Sequence, residues 1–187
     1  PAETVIYSEG AQALGVFTLR KGMVKLVRST ADGRERIVRV LRPGDVIGLE
    51  ALATSHYDSE AVAMIESSVC RIPLTVLHHL SANSPRLHMR LMQKWQQALK
   101  DADDWLAELN FGTARQRVAG LALKMRDAEQ PQFTSFFARD DMGAMLDLKL
   151  ETVSREISGL VRDGLIRPLD KSGRRYEILN DRRLMAL

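Results

Sequence analysis

The 187-residue sequence predicts an α+β chain: an antiparallel sheet-rich half, a long amphipathic helix, and a small helical region ending in a hairpin. Three observations predict it. Short apolar runs separated by Gly, Pro and Asp turns fill residues 1–80. From His88 to Leu109 apolar residues recur alternately three and four apart. Finally, DLKLETVSREISGLVRDGLIRP (147–168) carries an apolar and a polar face at helical spacing, between a shorter helix and two strand-like runs.

Bulk composition excludes several classes. Apolar residues make up 45% and charged residues 27%, an ordinary globular balance. No uninterrupted apolar run approaches the roughly 18 residues of a membrane span, and no secretory signal pattern stands at the N-terminus, so a cytoplasmic location is expected. A net charge of +3 suits nucleic acid but does not select it. One thiol, Cys70, cannot form an internal disulfide or a four-cysteine metal or cluster site. Free cysteine most often fills a small buried apolar place. Pro1 to Gly10 already reads as a strand entering a turn, so a preceding segment is expected in the full protein.

The first half divides into VIYSEG, VFTLRKGMVKLV, RERIVRVLRPGDVIG and SVCRIP, the rhythm of an antiparallel sandwich or roll. ADGRER (31–36) has the Asp-Gly signal of a hairpin. RPGDVIG (42–48) should turn at Pro43-Gly44 and enter a buried strand.

Ser84 is a plausible N-cap, with Pro85 at the first helical position. The stripe His88, Leu91, Trp95, Ala98, Ala102, Trp105, Leu109 then follows heptad spacing, widened by Leu87, Met92, Leu99 and Leu106. Such a helix either packs on its own domain or seats a second copy. The width of the stripe favours a dimer helix, with Leu91, Trp95, Ala98, Ala102, Trp105 and Leu109 at the interface. Asn110-Phe-Gly112 ends it.

Beyond the break, Thr113 to Arg126 reads as a helix with Val118, Leu121, Ala122 and Met125 inward. Residues 133–137 read as extended, 139–146 and 150–163 as two short helices, 165–167 and 175–179 as strands. The tip between those strands, 168–174, is turn-rich and basic. Two short helices joined by a three-residue turn match a helix-turn-helix, and the hairpin makes it winged.

In the second helix Leu150, Val153, Ile157, Leu160 and Val161 form the expected buried face, and Glu151, Ser154, Arg155, Ser158 and Arg162 the polar one. A carboxylate accepts a hydrogen bond from cytosine N4, and an Arg pairs with guanine O6 and N7. Ser makes a short polar contact or leaves room for a thymine methyl. Glu151, Ser154 and Arg155 are therefore the candidate base contacts, with Arg155 also held by Glu151. The bland alternative is a surface ion pair four apart, worth about 0.2–0.5 kcal/mol. Lys171, Arg174 and Arg175 at the tip are candidate phosphate contacts, and Lys149, Thr152 and Arg139 weaker ones.

RPGDVIGLEAL (42–52), SSVCRIP (67–73), the long helix and ETVSR (151–155) together resemble the Crp/Fnr superfamily of bacterial transcription regulators. The likeness covers essentially the whole chain. Glu-x-x-Ser-Arg resembles the Fnr branch, since the cyclic-AMP-receptor branch tends to have Gly in place of Ser154. The resemblance implies a β-roll sensory domain of the cyclic-nucleotide-binding kind over 1–83, a dimerisation helix over 84–111, and a winged helix-turn-helix over 112–187. It also implies Glu151, Ser154 and Arg155 as the base-reading trio, a two-fold dimer on an inverted repeat of double-stranded DNA, and RNA polymerase as a further partner.

Departures from the family pattern carry their own expectations. Nucleotide-binding members have a Gly-Glu pair and an Arg-Ser/Thr pair; this chain has Gly48-Leu49-Glu50 and Asp58-Ser59-Glu60. Two acids would repel a cyclic phosphate, so cAMP is disfavoured. Oxygen-sensing members bind an iron–sulfur cluster through four cysteines. Cys70 falls where the fourth would lie, so a cluster requires cysteines from outside this chain. Asp147 stands where the turn usually has Gly, and Lys149 where a Ser or Thr usually caps the recognition helix. His56, His78, His79 and His88 read as surface or capping groups rather than heme ligands. Rival readings are a sandwich-domain enzyme and a protein-interaction module using the winged helix. Against the enzyme, the sequence lacks a clustered catalytic constellation, a Gly-rich phosphate loop and a Gly-x-Ser-x-Gly motif.

Overall fold

The computed structural model describes residues 1–30, 33, 35–109, 111–127 and 129–187, without the Glu108 side chain. It is α+β and divides into two units, Pro1–Asp103 and Asp104–Leu187.

Among its described residues the first unit holds seven strands: β1 (Val5–Tyr7), β2 (Gly15–Lys21), β3 (Val24–Ser29), β4 (Glu35–Leu41), β5 (Val46–Ile47), β6 (Glu60–Ala63) and β7 (Ser68–Pro73). They form two antiparallel sheets, ordered β1-β6-β3-β4 and β5-β2-β7. Val16 and Leu19 of one sheet meet Val24, Leu41 and Ala61 of the other in a single core. The strands do not alternate strictly: β2 buries Val16, Phe17 and Leu19, and β6 buries Ala61, Val62 and Ala63 in a row. The Asp-Gly hairpin signal falls on Ala31, Asp32 and Arg34, which lie outside the described residues; the flanking strands pair in register at Ser29 and Glu35. Gly44 sits at φ +96 in the expected Pro-Gly turn.

A helix that the sequence pattern did not signal, α1 (Leu74–Asn83), follows Pro73. It buries only Leu77 fully, so it carries almost no periodic stripe by which to be recognised. After Ser84 comes α2 (Pro85–Leu109), whose Leu87 amide donates to the Ser84 hydroxyl at 3.3 Å, as an N-cap should.

The faces of α2 differ from expectation. Leu91, with Leu87, packs against the roll core, and Leu109 is 2% exposed in the single chain. Trp95, Ala98, Ala102 and Trp105 are half-buried. The open apolar row is instead Met92 (42% exposed), Leu99 (60%) and Leu106 (60%), seven apart. In the single chain Leu91 is thus partly covered by the roll and Leu109 is buried, while the Met92–Leu99–Leu106 row stays open. Two adjacent apolar rows share the same heptad period, and spacing alone does not say which one the chain covers itself.

The second unit begins with α3 (Ala114–Lys124), started by a capping box. Thr113 Oγ1 accepts from the Gln116 amide, and Gln116 Oε1 accepts from the Thr113 amide at 2.7 Å. Then come β8 (Phe133–Ser135), α4 (Arg139–Leu146), α5 (Leu150–Arg162), β9 (Ile166–Pro168), β10 (Arg175–Ile178) and α6 (Asp181–Met185). The strands pair as β8-β10-β9. Leu121, Met142, Leu146, Leu160, Leu165, Ile166 and Leu184 form the core, with α5 packed on both α3 and α4. Buried Thr134 donates its hydroxyl to the Ala122 carbonyl at 2.8 Å, so its burial leaves no orphaned donor.

Candidate nucleic-acid interface

The helix pair α4–α5 is set by its turn. Gly143 of α4 has no side chain to hold the turn away: a Cβ there would lie 2.6 Å from the Leu148 carbonyl. Leu148 instead donates its amide to the Gly143 carbonyl at 3.0 Å. Asp147 adopts φ 54, ψ 49, the left-handed conformation a short polar residue tolerates. From beneath, Arg117 Nη1 donates to the Leu146 carbonyl at 2.7 Å, placing a cation at the negative end of α4.

The turn delivers α5 with Val153, Ile157 and Leu160 buried. Its opposite face carries exposed Glu151, Arg155 and Ser158, with Ser154 and Thr152 half-buried beside them. Arg155 does not pair with Glu151; its Nε lies 3.8 Å from Glu156 Oε1, and its side chain is 72% exposed. That loose contact leaves the guanidinium available. Leu150 departs from the expected buried face: it is 41% exposed. Its angle on the helix is close to that of Ile157, seven residues on, so its exposure comes from its place as the first residue of α5 and not from the helical angle. Lys149 is the N-cap, exposed and without a side-chain cap bond.

In the wing, Lys171, Arg174 and Arg175 are exposed, and the Arg175 guanidinium stands 5.3 Å over the Phe133 ring. Arg139 is different. Its Nη2 donates to the Gly173 carbonyl at 2.8 Å and to the Tyr176 hydroxyl at 3.1 Å. Its guanidinium also faces the Phe136 ring at 5.6 Å. These contacts engage the half-buried guanidinium with the domain's own carbonyl, hydroxyl and ring.

The roll holds a second polar cluster. Tyr7 stacks on Tyr57 with ring centroids 3.7 Å apart, and the Tyr57 hydroxyl donates to the Gly15 carbonyl at 2.6 Å. Gly48, at φ +76, lies beneath these rings; a Cβ there would come within 3.0 Å of Tyr57. Glu50 follows, with a buried Oε1 that has no hydrogen-bond partner among the described residues. Burial pushes its carboxyl above the usual range, and the Asp58 charge pushes the same way. The motif region that would hold a cyclic nucleotide is thus packed with aromatic rings and acids. Cys70 is half-buried on β7, opposite Thr18 of β2. His56 meets Ser55 at 2.9 Å, His88 meets Ser81 at 3.4 Å, and His78 and His79 are exposed. Among the described residues no three His, Cys, Asp or Glu side chains come together as a metal site, and no helix is long and apolar enough to cross a membrane.

A two-sheet roll, a long helix and a winged helix-turn-helix with an open polar row define a DNA-binding regulator. Comparison with known proteins agrees. Residues 1–84 match the cyclic nucleotide-binding domain, and 116–187 the Crp-like helix-turn-helix domain. The transcriptional activator protein anr of Pseudomonas aeruginosa is 30% identical over 97% of this chain and 76% of its own length. The transcriptional activator protein FnrL of Cereibacter sphaeroides is 31% identical over 96% and 74%. Among solved structures, FixK2 from Bradyrhizobium japonicum superposes with a TM-score of 0.89 at 29% identity, covering 100% of this chain and 93% of that one. The CRP-family regulator TTHB099 of Thermus thermophilus gives 0.80 at 25%, covering 99% and 93%. The chain belongs to the Crp/Fnr family, and is a transcription regulator rather than an enzyme.

Proposed function

We propose that the protein works in the cytoplasm as a homodimer that reads an inverted-repeat operator in double-stranded DNA through two copies of α5. Glu151, Ser154 and Arg155 address base edges, and Leu150 offers an apolar contact suited to a thymine methyl. Lys149, Thr152, Lys171, Arg174 and Arg175 meet phosphates. One observation carries this reading. The row Glu151–Ser154–Arg155 lies outward on a helix whose back is buried, with Arg155 tied to its own chain by a single loose contact.

The working division is a sensory roll over 1–83, a dimerisation helix over 84–111 and a DNA-binding domain over 112–187. Dimerisation is supported by the Met92–Leu99–Leu106 row, half-buried Trp95, Ala98, Ala102 and Trp105 flanking it. A signal other than a cyclic nucleotide alters the packing of the two long helices, and this sets the spacing of the two reading helices. Asp58-Ser59-Glu60, standing where nucleotide-binding members have an Arg-Ser/Thr pair, is what disfavours a cyclic nucleotide. An iron–sulfur cluster would use Cys70 only together with cysteines from outside this chain. RNA polymerase is the partner through which bound operator changes transcription.

Selection of binding sites from random duplex DNA, followed by titration at several salt concentrations, tests the reading. The expected result is a palindrome with half-sites one turn apart, about 34 Å, and binding that weakens steeply with salt. A non-palindromic consensus, or salt-independent binding, overturns it.

A further inference from the structure

We propose that Arg139 is a positioning residue that, together with Asp170, locks the wing tip to the helix-turn-helix, so that the wing offers its cations in one preset arrangement. The inference rests on the reading of the wing as a phosphate contact.

A hairpin tip built from Asp170-Lys-Ser-Gly173 has little apolar area with which to hold a shape. Two side chains of opposite charge supply the order instead. The Asp170 carboxylate accepts backbone amides from Arg174 (3.0 Å) and Arg175 (3.2 Å). Those bonds, led by Arg174, hold its carboxyl below the usual range. Arg139 works on the carbonyl side, donating to Gly173 O and to the Tyr176 hydroxyl through one nitrogen, Nη2. Its Nη1 approaches Met142 Sδ at 3.3 Å.

Arg139 is the first residue of α4, and the Phe136 ring it covers belongs to the segment joining β8 to α4. Phe136 in turn donates its amide to the Arg174 carbonyl at 2.6 Å. The guanidinium therefore joins the helix-turn-helix, the linker and the tip at one point. A guanidinium can keep Nη2 on the carbonyl and the hydroxyl while its plane faces the ring and Nη1 reaches Met142; an ammonium has neither the plane nor the second nitrogen to hold all of these contacts at once. Lys171 and Arg174 remain exposed on the resulting loop. A preset loop loses less freedom on binding than a mobile one, so the brace strengthens operator binding without touching DNA.

The test uses the full 187-residue chain with Arg139→Met, Arg139→Lys, Asp170→Asn and Lys171→Ala. Amide hydrogen exchange is followed across 169–175 in the DNA-free protein, and operator affinity as a function of salt. The brace predicts that Arg139→Lys and Asp170→Asn, like Arg139→Met, speed exchange at these amides and weaken operator binding about tenfold. The salt slope stays that of a protein with its remaining phosphate contacts, and Lys171→Ala costs less in the Arg139→Met background than alone. Unchanged exchange at 169–175 in both Arg139→Lys and Asp170→Asn overturns the brace. So does a salt slope that falls by about one per protomer with additive Lys171→Ala, the signature of a direct phosphate contact. If Lys171→Ala by itself leaves affinity and slope untouched, the wing reading fails instead, and the role assigned to Arg139 falls with it.

Discussion

Replacing Arg155 with Ala is the sharpest test of the base-reading row. Folding should barely notice. The side chain is 72% exposed and its one ion-pair contact, with Glu156, spans 3.8 Å. An exposed pair of that kind is worth about 0.5 kcal/mol or less. The melting temperature should therefore stay within roughly 4 °C of wild type. DNA recognition is another matter. A bidentate Arg–guanine pair contributes about 1–3 kcal/mol of discrimination. A dimer on a palindrome uses two, so the symmetric operator should lose about 2–6 kcal/mol, at least a 30-fold rise in Kd.

Fluorescence anisotropy with the selected operator and its four single-base series reads this directly. One base position in each half-site should lose its preference while the others keep theirs. Base contacts release no condensed counterions, so the salt slope should be unchanged. Uniform weakening across all sequences, with a slope lower by about two per dimer, would refute the reasoning and make Arg155 a phosphate contact.

Three further outcomes are expected. Leu99→Glu puts a carboxylate in the middle of the exposed α2 row; it should leave the folded chain intact but cost the dimer about 3 kcal/mol or more per protomer, seen as monomer in analytical ultracentrifugation. Thr113→Ala removes the hydroxyl half of the capping box and should destabilise the C-terminal unit by about 1 kcal/mol, measured in its urea transition. Glu50 has a carboxyl raised in the fold. The folded state thus holds its proton more tightly, and stability should fall as pH rises from the ordinary carboxylate value through the raised one. Glu50→Gln should raise the melting temperature at neutral pH, have little effect near pH 4, and flatten that dependence. Equal effects at both pH values would remove the argument.

How much of this was legible depended on whether a residue's role shows in spacing. The boundaries of α4 can be read from sequence because Met142, Met145 and Leu146 are all buried and Asp147 ends the helix in a conformation its side chain tolerates. The start of α3 is written in Thr113 and Gln116, three apart. Other features leave no spacing signal. Helix α1 fully buries one side chain, Leu77. Leu150 looks like core both by hydrophobicity and by angle, yet is open because α5 begins there. The role of Arg139 depends on Gly173 and Tyr176, more than thirty residues away. A basic residue near a recognition helix reads as a phosphate contact until the carbonyl that captures it is known.

The two rows of α2 show why this distinction bears on function. Leu91 belongs with the roll and Leu109 is buried, while Met92, Leu99 and Leu106 stay open. A helix with one apolar row needs one neighbour; a helix with two needs two, and the single chain covers one. The unit boundary falls inside this helix, between Asp103 and Asp104, so Met92 and Leu99 lie in one unit and Leu106 in the other. Seated on its two-fold mate, such a row would couple both units of both protomers to one seam. A small repacking there would be felt at the roll and at α5 together. In the proposed dimer that would satisfy the physical requirement for a sensor whose output is the spacing of two reading helices, without any contact between signal and DNA.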